Sequence, residues 1–162
     1  MRVVEGTAEI EDVEAFVARL DDVGTEYGAT VQAFDARYVV DREHLERALT
    51  LAGRAIDRGE AIARDRGVEI LLYAAGRRQI NRALTMGVSA GECPLVVLVD
   101  GGDEAGAAGA VGDLLDPAET LGHYDRERAM DFFGVTPAEL DATSGTLADL
   151  VRERVALLVV DR

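Results

Sequence analysis

The sequence predicts an α+β fold: residues 1–162 form a single compact domain in which a small mixed or antiparallel sheet packs with several helices. Two observations support this prediction. The chain has 162 residues, of which 48% are hydrophobic and 30% charged, the size and balance of one globular domain. Segments with helical periodicity and strand-like apolar runs follow one another without a regular βαβ repeat, which favours α+β over a parallel α/β fold.

The first half of the chain alternates predicted strands and helices. Apolar residues three and four apart indicate a helix over residues 10–20. The clearest helix begins after the N-cap Asp41, carries an apolar stripe from Leu45 to Ile56 and ends at Gly59. The other predicted elements here are a short strand at residues 3–4, a strand at 29–34 that continues through 38–40, and one or two further helical turns over 60–66.

The second half contains one strong strand signal, LVVLV at residues 95–99. Residues 68–75 are predicted as a helix because Leu, Ala and Glu outnumber β-branched residues there. Residues 79–86 are predicted as a short helix with Ile80, Ala83 and Leu84 facing inward. The remaining predictions are a glycine-rich loop at 101–112 that leads into a helix at 110–115, helices at 125–133, 137–140 and 146–154, and a final strand, VALLVV, at 155–160.

The charge of the chain is strongly negative and its basic residues are uniform. There are 31 Asp and Glu against 17 Lys and Arg, a formal net charge of −14, and every basic residue is Arg. We interpret this composition as adaptation to concentrated salt, where carboxylates hold water and Lys stems would only add apolar surface. Equal stability in dilute buffer and in molar salt would contradict that interpretation.

The same composition bears on compartment and on cysteine chemistry. No stretch approaches the ~20 continuous apolar residues of a membrane helix, and the first residues turn acidic where a signal peptide would be apolar. We therefore expect a cytoplasmic protein without a membrane partner. Cys93 is the only cysteine, so it forms no internal disulfide and has no cysteine or histidine cluster for a zinc site.

Residues suited to catalysis are sparse. His44 and His123 are the only histidines, and Cys93 has no activating pattern beside it. The glycine-rich stretch lacks both a Gly-Lys-Ser/Thr ending and GxGxxG spacing, which argues against a nucleotide site. We predict that the chain is not an enzyme and uses no cofactor or metal.

Positive charge is concentrated in the middle of the chain, where residues 37–82 contain 10 Arg against 7 acids. Within this region GRRQINRAL, residues 76–84, combines planar guanidinium groups, neutral amides and a glycine that permits a close approach. Upstream, Arg47, Arg54 and Arg58 share one helical face and could form one surface with this segment. Such groups suit single-stranded RNA. The alternative is that the arginines pair with local acids, as Glu43 and Arg47 could at i,i+4 spacing.

Longer runs of the sequence resemble the small kinase-binding subunit of the KEOPS complex. These runs are VQAFDARYVVDREHLERALTLAGRA, VEILLYAAGRRQINRALTMGV and PLVVLVD, and the resemblance is strongest from Val31 to Asp100. It implies a non-catalytic subunit of the machinery that makes N6-threonylcarbamoyladenosine on transfer RNA (tRNA). It also implies two partners: the small protein-kinase-like ATPase of the complex, and tRNA held by its single-stranded 3′ CCA end. DNA is not implied as a partner.

The resemblance carries RNA binding onto particular positions of this chain. They are Gly76, Arg77, Arg78, Gln79, Ile80 and Arg82, with Arg54 and Arg58 as additions. The acidic stretch after Asp100 departs from the basic surface expected of an RNA-binding protein. The alternative function is a pure protein–protein adaptor without direct RNA contact, in which apolar faces near the C-terminus bind a partner.

Overall fold

The strands form one antiparallel sheet, which confirms the α+β class. The computed structural model of the protein describes residues 1–160, and within them the sheet has four strands in the order β2-β3-β1-β4. The strands are β1 Arg2–Ile10, β2 Thr30–Asp35, β3 Gly91–Asp100 and β4 Asp116–Pro117. β1 pairs with β3 from Arg2 opposite Val99 to Ile10 opposite Gly91. This long pair forms the centre of the sheet and leaves β2 as an edge strand.

Eight α-helices in the same residues surround the sheet. The helices are α1 Val13–Tyr27, α2 Arg42–Asp57, α3 Arg66–Ala75, α4 Ile80–Ala83, α5 Glu104–Gly112, α6 Arg126–Phe133, α7 Pro137–Ala142 and α8 Leu147–Val160. Short 3-10 turns lie at Ala36–Tyr38 and Leu84–Met86. No helix within residues 1–160 combines the length and the hydropathy needed to cross a membrane.

Each face of the sheet carries a hydrophobic core. Alternate residues of a strand point to opposite faces, so Leu95, Val97 and Val99 of β3 pack in the core under α1 and α5. Val96 and Leu98 pack on the other face, in the core that α2, α3, α6 and α8 share. Because both faces are covered, the strand reads as the continuous apolar run that identified it in the sequence.

The predicted final strand is wrong, because residues 155–160 continue α8. Val155 and Leu158, three residues apart, are buried in the core shared with α2 and α3. Leu157 and Val159 are both 38% exposed. β-branched residues lower helix propensity only slightly, and burial of one helical face outweighs that preference.

The glycine-rich stretch is largely helical, which corrects the predicted loop at residues 101–112 and the predicted start of the next helix at 110. Asp103 caps α5 by accepting a hydrogen bond from the Gly106 amide at 3.0 Å. The absence of a side chain at Gly106 lets α5 approach α1, because a Cβ there would lie 2.6 Å from a ring carbon of Tyr27. Tertiary packing therefore overrides the low helix propensity of glycine.

Two predicted elements between β2 and α3 are also wrong, for reasons of side-chain hydrogen bonding. Residues 38–40 do not continue β2, because Asp35 accepts from the backbone and guanidinium of Arg37 and turns the chain. Residues 60–65 are not helical, because the buried carboxylate of Glu69 accepts hydrogen bonds from the amides of Ile62 and Ala63. These side chains replace the bonds that a strand or helix would supply.

Candidate nucleic-acid interface

The segment at residues 76–84 leaves the C-terminal end of α3 through a glycine cap. Gly76 has a left-handed φ of 62°, and the amides of Gly76 and Arg77 donate to the carbonyls of Tyr73 and Leu72 at 3.1 and 3.0 Å. A Cβ at Gly76 would lie 3.1 Å from the carbonyl oxygen of Arg154 in α8. The close approach that this glycine permits is therefore to the backbone of α8.

Arg77 fastens the segment to α6. Its Nη2 donates a hydrogen bond to the carbonyl of Phe132, and its Cζ lies 5.0 Å from the centroid of the Phe132 ring. That ring meets Tyr38 and Phe133 edge-on, with centroids 5.4 and 5.0 Å apart. Arg77 is half-buried among these groups. Its guanidinium is engaged inside the protein and positions the residues that follow.

The next residues form the short helix α4 and present their side chains to solvent. Gln79 is the N-cap of α4, yet its side chain makes no capping hydrogen bond and is exposed. Ile80 is 47% exposed and Leu84 is 56% exposed, so the prediction that both face inward is wrong. Ala83 does face inward, as predicted. A helix of one turn followed by a 3-10 turn cannot bury the side chains of a whole apolar stripe, and Ala83 and Met86 fill the core instead.

Arg82 is the most available cation of the segment. Arg78 and Arg82 are both exposed. Within residues 1–160, the guanidinium of Arg82 takes part in neither an ion pair nor a hydrogen bond. Its planar donor groups are thus available to a ligand, beside the Gln79 amide and the Ile80 side chain.

Arg54 and Arg58 are exposed on α2 but lie apart from this segment. The helices α2 and α3 run antiparallel. Nε2 of His44, at the start of α2, lies 2.7 Å from the carbonyl of Ala74 at the end of α3, and the chain just after α2 bonds to Glu69 near the start of α3. Ten residues separate His44 from Arg54, which is about 15 Å along the helix axis. Arg54 and Arg58 therefore lie towards the end of the helix pair away from Gly76, where both line a small cavity together with Tyr73 of α3.

Several other arginines of the basic region pair with acids, as the alternative interpretation expects. Their closest N–O distances are 2.8 Å for Arg37–Asp35, 2.9 Å for Arg66–Asp100 and 3.5 Å for Arg47–Glu43. Asp35 also holds the pKa of Arg37 above its ordinary value through their hydrogen bonds. Because these three arginines are paired, Arg82, Arg54 and Arg58 remain as candidate ligands for RNA, and the exposed Arg64 is a further cation of the basic region.

His44 is a structural residue. It is fully buried, and desolvation lowers its pKa to about 4. Nδ1 of the neutral ring accepts from the Val40 amide at 3.3 Å, so the Nε2 proton is donated to the Ala74 carbonyl. No group of three or more His, Cys, Asp or Glu in the described part of the chain is placed to hold a metal ion.

One residue that supports the segment could not be found from the sequence. Phe132 lies 55 positions after Arg77, and no local motif links the two. The exposure of Ile80 and Leu84 had no such signal either, because apolar residues spaced i,i+4 predict a buried helical face.

Helices thus cover both faces of the sheet, α2 pairs with α3, and the α4 turn exposes polar side chains. No relative among the curated proteins matches the chain. The family model described as "Kinase binding protein CGI-121" matches residues 10–158, which include all eight helices up to the last turn of α8. Since that match spans far more than half of the sequence, the chain belongs to the CGI-121 family of kinase-binding proteins.

Proposed function

We propose that this kinase-binding protein is a non-catalytic subunit of a KEOPS-type complex and recruits tRNA through its single-stranded 3′ CCA end. The observation that carries the RNA part is the arrangement of α4. Gln79, Ile80 and Arg82 are exposed together on one helical turn. Gly76 allows the start of the segment to lie close to the backbone of α8, and Arg77 bonds the segment to the Phe132 carbonyl of α6. A rigid support with free polar groups lowers the entropic cost of binding.

The chemistry of this turn suits unpaired nucleotides. A single-stranded end exposes base edges, base faces and 2′-hydroxyls. The Gln79 amide both donates and accepts hydrogen bonds, and the Arg82 guanidinium donates in one plane and stacks on a base. The Ile80 side chain supplies an apolar surface against a base face. Stacking contributes about 1 to 3 kcal/mol per base without requiring a particular sequence.

The negative charge of the protein favours recognition of bases over recognition of phosphates. With a net charge of −14, the chain repels a polyanion over long distances in dilute salt. A tail of few nucleotides brings few phosphates, and contacts to bases are weakened little by salt. We therefore expect binding of tRNA to show a shallow dependence on salt concentration.

The principal test is substitution of the exposed α4 side chains. We expect Arg82→Ala combined with Gln79→Ala to raise the Kd for intact tRNA about tenfold, because about 1.4 kcal/mol of hydrogen bonding and stacking is lost. Arg77 is left intact because it holds the segment in place. The measurement is a binding titration against intact tRNA and tRNA trimmed of its CCA nucleotides, repeated over a salt series.

Arg19→Ala is the matched control. Arg19 is an exposed helical arginine on α1, and within residues 1–160 it forms no ion pair, so its loss removes the same charge from another surface. Equal weakening by Arg19→Ala would show that only net charge matters. Unchanged affinity in the double variant would remove the site assignment.

A pure adaptor without RNA contact is the second candidate, and it is favoured by the ion pairs that Arg37, Arg47 and Arg66 form with acids of the same chain. In that case the basic region of the sequence serves the fold alone. Trimming the CCA nucleotides distinguishes the two candidates, since an adaptor is indifferent to them.

A further inference from the structure

An apolar groove of about 220 Å³ lies beside β2, an edge strand of the sheet. Val13 and Val17 of α1 line one side of it. The other side is lined by Val68 of α3 and by Leu84, which stands in the 3-10 turn after α4. The groove therefore lies next to the turn that carries the candidate RNA-binding side chains.

The rim of the groove exposes aliphatic side chains. Val17 is 39% exposed and Leu84 is 56% exposed, and they stand on opposite sides. Exposed apolar side chains that adjoin a concave apolar surface mark a site of protein association. The rim thus offers both a protruding side chain, Leu84, and a groove that an aliphatic side chain can enter.

The edge strand beneath the groove is partly closed to strand addition. The Gln32 Nε2 donates a hydrogen bond to the carbonyl of Ala33 at 3.0 Å, and both residues line the groove. A side chain of the protein therefore occupies an acceptor that a pairing strand from another chain needs. This arrangement favours association through side chains over extension of the sheet.

One end of the groove is acidic. Asp21, one helical turn after Val17 on α1, lines the groove. Desolvation and the negative charges of Asp65 and Asp22 raise the pKa of Asp21. The Asp21 carboxylate forms no ion pair with another of the described residues. A cation placed beside it relieves the repulsion.

The chain presents such a cation beside the protruding leucine. Arg82 precedes Leu84 by two positions, is exposed, and within residues 1–160 takes part in no ion pair. One patch of the surface therefore combines an aliphatic side chain next to an unpaired cation with an apolar groove next to an unpaired carboxylate. The two halves of this patch complement each other in polarity and in charge, which is what a twofold contact between identical copies requires.

We propose that two copies of this chain associate through this patch around a twofold axis. Leu84 of each copy enters the groove of the other, and Arg82 of each copy pairs with Asp21 of the other. Each contact occurs twice, as in every twofold interface. RNA does not suit the groove, because the groove is apolar and ends in a carboxylate.

The dimer covers part of the candidate RNA interface. Arg82 cannot pair with Asp21 of a second copy and stack on a base at the same time, so the dimer and the tRNA complex exclude each other. The free protein keeps its RNA-binding turn masked, and tRNA converts the dimer into monomers by mass action. This consequence rests on the function proposed above, whereas the dimer itself does not.

Sedimentation equilibrium tests the dimer in the absence of RNA. The experiment is run at about 1 M salt, where the Debye length is about 3 Å, so that the repulsion between two copies of net charge −14 is screened. The patch is small, and we expect a weak dimer with a Kd on the order of 10 µM. A chain that remains monomeric at about 100 µM, ten times that Kd, overturns the proposal.

A charge swap identifies the paired residues. We expect Asp21→Arg and Arg82→Asp each to raise the dimer Kd tenfold or more, because each places like charges opposite one another at two symmetric contacts. The double variant restores opposite charges, and we expect its Kd to lie within threefold of that of the unsubstituted chain. A double variant that dimerises as weakly as the single variants overturns the Arg82–Asp21 pair.

Leu84→Glu tests the apolar contact. The variant places a carboxylate in an apolar groove that ends in Asp21, so we expect the dimer Kd to rise thirtyfold or more. Val17→Glu, on the opposite side of the groove and away from α4, is expected to have the same effect. Ile56→Glu is the matched control, since Ile56 is 37% exposed on α2 and lies outside the groove, and we expect its Kd to change less than threefold.

Circular dichroism establishes that each variant is folded before its dimer Kd is compared. If both groove variants dimerise as well as the unsubstituted chain, or if Ile56→Glu weakens the dimer as much as they do, the groove assignment is overturned.

A titration with tRNA separates the masking from the proposed function. We expect intact tRNA to dissociate the dimer, and tRNA trimmed of its CCA nucleotides to leave it intact. If tRNA binds and the dimer persists with it, the masking is overturned. If the protein dimerises but binds no tRNA, the proposed function fails and the dimer stands.

Discussion

Replacement of Glu69 by alanine is expected to lower the free energy of unfolding by about 3 kcal/mol. The Glu69 side chain is fully buried, and its Oε1 accepts hydrogen bonds from the amides of Ile62 and Ala63 at 3.0 and 2.8 Å. Alanine leaves both half-buried donors without a partner and opens a cavity. Urea denaturation at neutral pH measures the loss, and faster amide exchange at residues 60–65 would accompany it.

Glu69→Gln is the matched control for this prediction. A single amide oxygen in the place of Oε1 keeps one hydrogen bond from each amide, but the charge assistance is lost and so is the second acceptor, Oε2, which lies 3.1 Å from the Ile62 nitrogen; the expected cost is about 1 to 2 kcal/mol. If glutamine costs as much as alanine, the negative charge and not the geometry holds the loop. A cost below 1 kcal/mol for alanine would contradict the capping role of Glu69.

The protein is expected to lose stability as the pH falls from 6.5 towards 4, because His44 is buried in its neutral form. The pKa of His44 is about 4 in the folded protein and 6.5 in an unfolded chain, so only the unfolded chain takes up a proton in this window. The contribution of neutral His44 to the free energy of unfolding is fully present above pH 6.5. It is lost at up to about 1.4 kcal/mol per pH unit on acidification.

His44→Gln removes this proton uptake and should flatten the profile. We expect the variant to be less stable at pH 7, because the bonds to Ala74 and Val40 are altered, but to lose less stability between pH 6.5 and 5. Urea denaturation at pH 7, 6 and 5 measures both slopes, and most carboxylates remain ionised over this range. Identical slopes for the two proteins would contradict the assignment to His44.

Elements with a cap and a single apolar stripe were predictable from the sequence. Asp41 caps α2 by accepting from the His44 amide at 2.8 Å, as its position before the stripe predicted. The run at residues 95–99 is the centre of β3. Both signals depend only on neighbouring residues, so they can be recognised without knowledge of the rest of the fold. The prediction of a strand at residues 155–160 was wrong because β-branched residues occur in strands and in helices. Contacts with α2 and α3, which lie far away in the sequence, make this run helical.

The candidate site was predictable as a segment but not as a geometry. The residue types from Gly76 to Arg82 indicated donors and amides in one place. Which side chains of this segment are exposed depends on residues far away in the sequence. Arg77 is bonded to the carbonyl of Phe132, and Gly76 packs against the backbone of Arg154. The distance between Arg54 and this segment likewise follows from the antiparallel course of α2 and α3, which no local pattern encodes.

The contact between Gly76 and the backbone of α8 has a consequence for engineering. A Cβ at position 76 would press on the Arg154 carbonyl, and Arg77 needs the carbonyl of Phe132, so the turn takes its shape from three separate parts of the chain. A peptide copied from residues 76–84 therefore would not keep this shape in isolation. Grafting it onto another scaffold requires the ends of α3 and α6 and the middle of α8 to be transferred with it.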